Sequence, residues 1–243
     1  SPVVSVSISP EKREILSLRG VSISFRGNRV ISNVSLVLHQ GESLAIIGLN
    51  GSGKTSLLRS IAGILEEVSG EIRVDGRIGM VFQDPGLSLF GTTVEENLLF
   101  SLSGCEDNGE IISSKIETSL QRYSIVELRK RDILSLSGGE RQRVALAAAT
   151  VISPDLLLID EPFSMLDRLE IKNMLDILHT LMERGTSIVL STNRFSDLSV
   201  FDRFLVLGNG SMVFYGNWEL LKKNREIFTL AGMPVPFELE LSC

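Results

Sequence analysis

Eight consecutive residues, Gly48 to Thr55, have a spacing that suits phosphate binding. They read Gly-Leu-Asn-Gly-Ser-Gly-Lys-Thr and fit the pattern G-x-x-x-x-G-K-[ST] at every fixed position. Glycines let backbone N–H groups turn towards an anion, the lysine reaches the β- and γ-phosphates of a nucleotide, and the threonine hydroxyl is a ligand for Mg²⁺. The alternative is a glycine-rich turn that binds nothing. The predicted MgATP contacts are Asn50, Gly51, Ser52, Gly53, Lys54, Thr55 and Ser56.

A pair of carboxylates, Asp160 and Glu161, follows the apolar run Leu156 to Ile159. An apolar strand that ends in Asp carries a carboxylate to the edge of the sheet where phosphates bind, and Asp160 would hold Mg²⁺ through water. Glu161 is the candidate general base for the attacking water. Taken alone, such a pair is more often a solvated strand end, but the phosphate loop favours the catalytic interpretation.

Strands and helices alternate around these residues. Glu42 to Ile47 is a short apolar strand that enters the phosphate loop, and Lys54 to Ala62 follows as a helix. The runs Leu156 to Ile159 and Ser187 to Leu190 are continuously apolar, as in strands buried on both faces. This alternation predicts an α/β fold with a parallel sheet and helical crossovers.

Other segments have different patterns. Val21 to Phe25 and Val34 to Leu38 alternate apolar and polar residues around the turn Arg26-Gly27-Asn28, which predicts antiparallel strands. From Val94 to about Ala149 the chain reads mostly helical, with a polar loop from Cys105 to Glu110. The remaining predictions are strands at 71–74 and 78–82, a helix at 169–183, a hairpin joining 204–207 to 212–215 and a helical tail from Trp218.

Composition limits the classes of protein. The chain has 243 residues and a net charge of −6, which argues against a nucleic-acid partner. No run of eighteen apolar residues predicts a transmembrane helix, and the first residues do not resemble a signal peptide, so we expect a cytosolic protein. Cys105 and Cys243 have no metal-ligand spacing and are expected to be free thiols.

The segment Leu136 to Gln142 reads Leu-Ser-Gly-Gly-Glu-Arg-Gln and resembles the signature motif of ATP-binding-cassette (ABC) ATPases. The resemblance covers nearly the whole chain, with all motifs in order. It implies a P-loop NTPase core of parallel strands, an N-terminal antiparallel β subdomain and a helical signature subdomain. It also implies one nucleotide-binding domain over residues 15–243, with a helical lobe at about 93–151 and an N-terminal extension at 1–14. In this family, two ATP molecules lie between two subunits, and the signature residues Ser137, Gly138, Gly139 and Glu140 would face the γ-phosphate bound to the other subunit. The alternative for Ser137 is a plain helix N-cap.

Three further positions match the family. Phe25 matches the aromatic residue that stacks on adenine, although a core strand phenylalanine would have the same pattern. Gln83 matches the glutamine that contacts Mg²⁺ and couples the site to the membrane subunit. Ser164-Met165-Leu166-Asp167 resembles the loop between subunits, with Asp167 towards the partner.

One position departs from the family. Asn193 stands where the resemblance implies a histidine that contacts the γ-phosphate, and neither His39 nor His179 fits that position. Asn can donate a hydrogen bond but cannot become cationic. We therefore expect a weakened hydrolytic site on this chain and a heterodimer with a second ABC ATPase. The alternatives are an adequate substitution by Asn and a catalytically degenerate subunit that only gates its partner.

The transport type is suggested by two segments. Asp84-Pro85 with Leu89 to Asn97, and the tail Leu230 to Pro234, look like the corresponding parts of energy-coupling-factor ATPases, which drive uptake of vitamins, cobalt or nickel. The implied partners are a transmembrane coupling subunit and a substrate-binding membrane protein, with this chain on the cytoplasmic face of the membrane. A soluble cassette ATPase that acts on DNA or ribosomes is disfavoured because the chain has one cassette and no sustained heptads.

Overall fold

A computed structural model describes residues 13–65, 67–105, 108–164, 166–195, 198–236 and 239. Within them, nine strands form one mixed sheet in the order β4-β1-β2-β9-β8-β3-β7-β6-β5. The strands are β1 (Glu14–Phe25), β2 (Asn28–His39), β3 (Ser43–Ile47), β4 (Val68–Val74), β5 (Ile78–Val81), β6 (Leu156–Asp160), β7 (Ser187–Thr192), β8 (Arg203–Gly208) and β9 (Ser211–Gly216).

Seven α-helices accompany the sheet in the described part of the chain. They are α1 (Lys54–Ile61), α2 (Val94–Leu102), α3 (Gly109–Arg122), α4 (Gly138–Thr150), α5 (Arg168–Glu183), α6 (Trp218–Lys223) and α7 (Glu226–Leu230). Among these residues, no helix combines the length and the apolar character that a membrane crossing requires. Cys105 is a free thiol, and Cys243 lies outside the described residues.

The five strands β8, β3, β7, β6 and β5 pair in parallel. Their side chains alternate between two cores. In β3, Leu44 and Ile46 join the cluster that contains α1, whereas Ala45 and Ile47 join the cluster that contains α2 to α5. Both faces are therefore covered, which explains why these strands read as continuous apolar runs. The predicted parallel α/β core is confirmed.

The antiparallel part consists of β1, which pairs with β2 on one side and with β4 on the other. It joins the central strands through β2, whose Ser32 pairs with Ser211 of β9. The predicted hairpin between β8 and β9 is confirmed as well. The expected mixture of antiparallel strands, parallel strands and helices is thus present in one sheet.

Several predicted boundaries are wrong. The strands β1, β2 and β4 begin at Glu14, Asn28 and Val68, earlier than the predicted starts at positions 21, 34 and 71. The loop expected from Cys105 to Glu110 is shorter, because Asn108 accepts a hydrogen bond from the backbone N–H of Ile111 at 2.9 Å and starts α3 at Gly109. An N-cap of this kind satisfies a free donor of the first helical turn. The strand expected to reach Phe82 ends at Val81. Of the predicted extension, residues 1–12 lie outside the described residues, and β1 begins at Glu14.

Close packing of α4 against β5 depends on Gly79. A Cβ atom at this position would overlap the backbone carbonyl of Ala149 in α4 and approach Pro154 Cγ to 3.2 Å. Because a backbone oxygen cannot rotate away as a side chain can, the helix and the strand reach this distance only with glycine. The contact fixes α4, which carries the signature residues, on the sheet.

We predict that Gly79→Ala lowers the free energy of unfolding by about 1–3 kcal/mol, because the extra methyl group forces the backbone of β5 or α4 to shift. Gly109→Ala at the start of α3 is the matched control, since a Cβ there meets no atom within 4 Å. The control should stay within about 0.5 kcal/mol of the wild type. Denaturant unfolding measures both, and equal stabilities would contradict the packing argument.

Candidate functional site

The phosphate loop joins β3 to α1. All five residues of β3 are buried, and the loop leaves the sheet at Gly48. Gly53 is the N-cap of α1 with φ of 100°, and no side chain caps the helix. The N–H groups of the first turn therefore remain available to an anion at the positive end of the helix.

Two glycines of the loop lie where neighbouring strands leave no room for a side chain. A Cβ on Gly48 would lie 2.7 Å from the carbonyl oxygen of Leu207, and one on Gly53 would lie 2.9 Å from Cγ1 of Ile31. Gly53 also has a backbone conformation that L side chains rarely adopt. The glycine spacing seen in the sequence thus follows from contacts with β8 and β2.

Lys54 is 5% exposed, and its ammonium group has three oxygen partners. It donates to the backbone carbonyls of Gly48 at 2.8 Å and Leu49 at 3.1 Å. The third partner is Glu161 Oε1 at 3.1 Å, in an ion pair that is buried on both sides. Glu161 therefore neutralises the buried charge of Lys54. The candidate general base is paired with the lysine that is expected to bind phosphate.

Asp160 is fully buried at the end of β6. Its Oδ1 accepts hydrogen bonds from the hydroxyls of Thr55 at 3.1 Å and Ser191 at 2.5 Å, whereas its Oδ2 is buried with no hydrogen-bond partner. A carboxylate oxygen without a partner beside a threonine hydroxyl is a donor set that suits Mg²⁺. No group of three or more His, Cys, Asp or Glu side chains in the described segments could hold a metal by itself. These residues therefore fit a Mg²⁺ ion that arrives on nucleotide phosphates.

Glu161 has a strained backbone, with φ of 45°. Its N–H donates to the carbonyl of Ser191 at 3.0 Å and to the hydroxyl of Ser191 at 3.2 Å, and its Oε2 accepts from the backbone N–H of Asn193 at 3.1 Å. Left-handed backbone at a residue other than glycine costs of order 1–3 kcal/mol and persists only where neighbours enforce it. Here the end of β7 enforces it.

Asn193 extends the contact between β7 and the phosphate loop. Its side-chain amide donates to Oδ1 of Asn50 at 3.2 Å. Asn193 thus contacts Glu161 through its backbone and the loop through its side chain, at the position where the sequence predicts a γ-phosphate contact. The sequence did not predict the part that Ser191 plays, and its one visible signal is a serine at the end of a buried apolar strand.

A cavity of about 380 Å³ opens over these residues. Most of the predicted phosphate contacts lie on its wall, Ser52 is buried beneath them, and Val30 of β2 is an unpredicted addition. Its lining residues are Val30, Asn50, Gly51, Gly53, Lys54, Thr55, Ser56, Gln83 and Glu161. Residues from β2, the phosphate loop, α1 and the segments that follow β5 and β6 therefore converge on one site.

Phe25 lies at the end of β1, at the tip of the hairpin with β2. Its side chain is 56% exposed, which excludes the role of a core phenylalanine that the sequence left open. The guanidinium of Arg26 lies 5.3 Å from the centre of its ring. Phe25 does not line the 380 Å³ cavity, to which this hairpin contributes Val30. An exposed ring of this kind is available for stacking.

The signature residues lie at the start of α4. Ser137 is its N-cap and forms a reciprocal pair with Glu140: its hydroxyl accepts from the N–H of Glu140 at 3.3 Å, and its own N–H donates to Glu140 Oε2 at 2.8 Å. The backbone hydrogen bond from Ser137 lowers the pKa of the Glu140 carboxyl below its usual value. The N-cap that the sequence left open as the alternative for Ser137 is present. Gly138 is open, whereas the Glu170 carboxylate lies beside Gly139.

The signature does not reach the phosphate loop of its own chain. Ser137, Gly139 and Glu140 line a separate cavity of about 420 Å³ between α4 and α5. Gly138 lines a third cavity together with Gln83. Asp167 is the N-cap of α5, with its Oδ1 accepting from the N–H of Glu170 at 2.8 Å. Met165, predicted in the same loop, lies outside the described residues.

Comparisons with known proteins agree with this arrangement. The family described as ABC transporter matches residues 31–164. The energy-coupling factor transporter ATP-binding protein EcfA1 of Thermotoga maritima is 35% identical over 84% of this chain and 82% of its own length. The protein of the same name from Bacillus subtilis is 32% identical over 95% of this chain and 88% of its own. The solved structure of cbiO1 from Clostridium perfringens, titled as part of the ABC transporter complex cbiONQ, is 25% identical with a TM-score of 0.79 over 95% of this chain and 99% of that one.

Proposed function

This chain belongs to the ABC transporter family, and we propose that it is the ATP-hydrolysing subunit of an energy-coupling-factor importer. It is an ATP-binding ABC ATPase homologous to the EcfA proteins, and it works with a second ATPase on a membrane transporter. It forms one nucleotide-binding domain over residues 15–243, whose helical lobe at about 93–151 transmits motion to a membrane subunit. The observation that carries the proposal is the cluster of Lys54, Asp160 and Glu161. Lys54 and Glu161 line one cavity, and Asp160 is buried behind it with a hydrogen bond from the cavity residue Thr55.

Each part of the cluster has a role in binding MgATP. The loop N–H groups and Lys54 hold the phosphates, together with Ser52 of the loop and Ser56 of α1, and Phe25 stacks on adenine. Thr55, Gln83 and Asp160 hold Mg²⁺, which supplies charge neutralisation on the phosphates when bound. The partnerless buried oxygen of Asp160 supports this assignment.

Hydrolysis needs Glu161 to change partner. In the structure its carboxylate lies on Lys54. The γ-phosphate competes for the same ammonium group, so that its arrival frees Glu161 to orient a water molecule. Glu161 then accepts a proton as the water oxygen attacks the γ-phosphorus, and the bond to ADP breaks.

The site is completed by a second chain. The signature residues Ser137, Gly138, Gly139 and Glu140 line cavities other than the one over Lys54, which supports a role towards a nucleotide held by the partner. A helix N-terminus suits such an anion, Gly138 leaves space beside it, and Asp167 contacts the partner nearby. ATP binding closes the pair, and hydrolysis reopens it.

The remaining partners follow from the transporter type. A transmembrane coupling subunit receives the motion, and a separate membrane protein selects the vitamin or metal ion, so the chain works at the cytoplasmic face of the membrane without a nucleic-acid partner. A catalytically degenerate subunit is not favoured, because Glu161 and its contacts are all present. Asn193 weakens hydrolysis at this chain's own site without abolishing it.

Glu161→Gln tests the catalytic role in a complex with the partner ATPase and the membrane subunit. The partner's corresponding glutamate is also replaced by glutamine, so that residual turnover reports this chain's site. We expect ATP to remain bound and the residual turnover to fall by roughly 100-fold, because the proton acceptor is lost. The surface substitution Glu183→Gln is the matched control. Unchanged turnover would rule out Glu161 as the general base.

Asn193→His tests the departure from the family in the same background. An imidazolium can donate a charge-assisted hydrogen bond to the γ-phosphate, and such a bond contributes about 1.5–3 kcal/mol. We expect this chain's turnover to rise by roughly tenfold or more. Asn193→Gln, which stays neutral, should give no gain. If His and Gln variants have the same turnover, the missing cation does not limit this site.

A further inference from the structure

We propose that Ser191 is a positioning residue that orients the Asp160 carboxylate for the Mg²⁺ of MgATP. The inference rests on the proposed function, since it gives Asp160 that role, but it concerns a residue outside the recognised motifs. Ser191 is fully buried near the end of β7. Its importance comes from what its hydroxyl contacts on the neighbouring strand.

Sheet register brings Ser191 between the two halves of the site. It pairs with Ile46 of β3, two residues before the phosphate loop, and with Asp160 of β6. Because β7 lies between these strands and runs parallel to both, all three carry their ends to the same edge. Ser191 is therefore the residue of β7 that lies level with Asp160.

The hydroxyl of Ser191 acts both as a hydrogen-bond donor and as an acceptor. It donates to Asp160 Oδ1 at 2.5 Å and accepts from the N–H of Glu161 at 3.2 Å. Thr55 donates to the same Oδ1 at 3.1 Å. Two hydroxyls thus hold one carboxylate oxygen, which leaves Oδ2 as the one without a partner.

Because Oδ1 of Asp160 accepts two hydrogen bonds and Oδ2 accepts none, the rotation of this carboxylate group is fixed. Thr55 is itself a proposed Mg²⁺ ligand, so its hydrogen bond to Asp160 changes when the metal binds. Ser191 is the donor that can remain on Oδ1 throughout, and it keeps Oδ2 free. Groups that orient a metal-binding carboxylate in this way commonly change metal affinity by 10–100-fold when removed.

A purely structural role for the hydroxyl predicts something different. Satisfying a buried carboxylate would stabilise the fold with or without Mg²⁺. The chain offers a matched control in Ser187, which is also fully buried in β7 and lies at the other end of the strand. Its hydroxyl accepts from the N–H of Gly41 at 2.9 Å.

The test compares the Kd of ATP in EDTA with its Kd at saturating Mg²⁺, measured by calorimetry on the full chain. The ratio used is the Kd in EDTA divided by the Kd at saturating Mg²⁺. We expect Ser191→Ala to reduce this ratio by about tenfold or more, mainly because ATP binds more weakly when Mg²⁺ is present. Ser187→Ala should keep the wild-type ratio even where its melting temperature falls. Ser191→Thr, which keeps a hydroxyl, should keep the ratio within about threefold of the wild type.

A wild-type ratio in Ser191→Ala would overturn the inference and leave the proposed ATPase intact. A ratio that falls equally in Ser191→Thr, or in Ser187→Ala, would also overturn it, since the effect would then follow from disturbed packing. If the ratio is close to one in the wild-type protein, Mg²⁺ does not contribute to ATP binding. That result would contradict the proposed Mg²⁺ site and therefore the proposed function.

Discussion

The buried ammonium group of Lys54 is the constraint on which the rest of the site depends. Burial of an unpaired charge costs several kcal/mol, so the fold must supply oxygen partners at this point. Two come from the turn of the phosphate loop and one from Glu161. This ties the loop after β3 to the end of β6, two strands away in the sheet. The parallel sheet is thus a frame that brings one cation and two carboxylates to a single edge.

Because Lys54 needs an anionic partner, Glu161 and a nucleotide phosphate would compete for its ammonium group. Lys54 holds Glu161 in the structure, and a phosphate bound by Lys54 would displace it. The strained backbone of Glu161 is held by Ser191 of β7. In the proposed mechanism, this arrangement couples phosphate binding to the release of Glu161. Ser191 of β7 and Asn193, which follows the strand, contact the carboxylate pair, although neither belongs to it or to the phosphate loop.

Local patterns predicted much of this arrangement. The phosphate loop, the Asp160-Glu161 pair and the buried strands are visible in short windows, because glycine spacing and apolar runs report their own neighbourhood. Ser191 was missed because its role arises from its register opposite Asp160, which no local window contains. The start of α3 was missed because the Asn108 cap outweighs a polar composition. The exposure of Phe25 also required the structure, since a strand pattern does not tell which strand ends are covered.

The separation between the signature and the phosphate loop decides how the protein works. The signature residues and the phosphate loop line different cavities of one chain, which supports the proposal that each nucleotide lies between two chains. The most direct measurement is ATP turnover of the reconstituted complex with Ser137→Arg in this chain, which obstructs the nucleotide held by the partner. If each nucleotide lies between two chains, most turnover is lost while ATP still binds this chain's own phosphate loop. Turnover at the wild-type level with Ser137→Arg would contradict it.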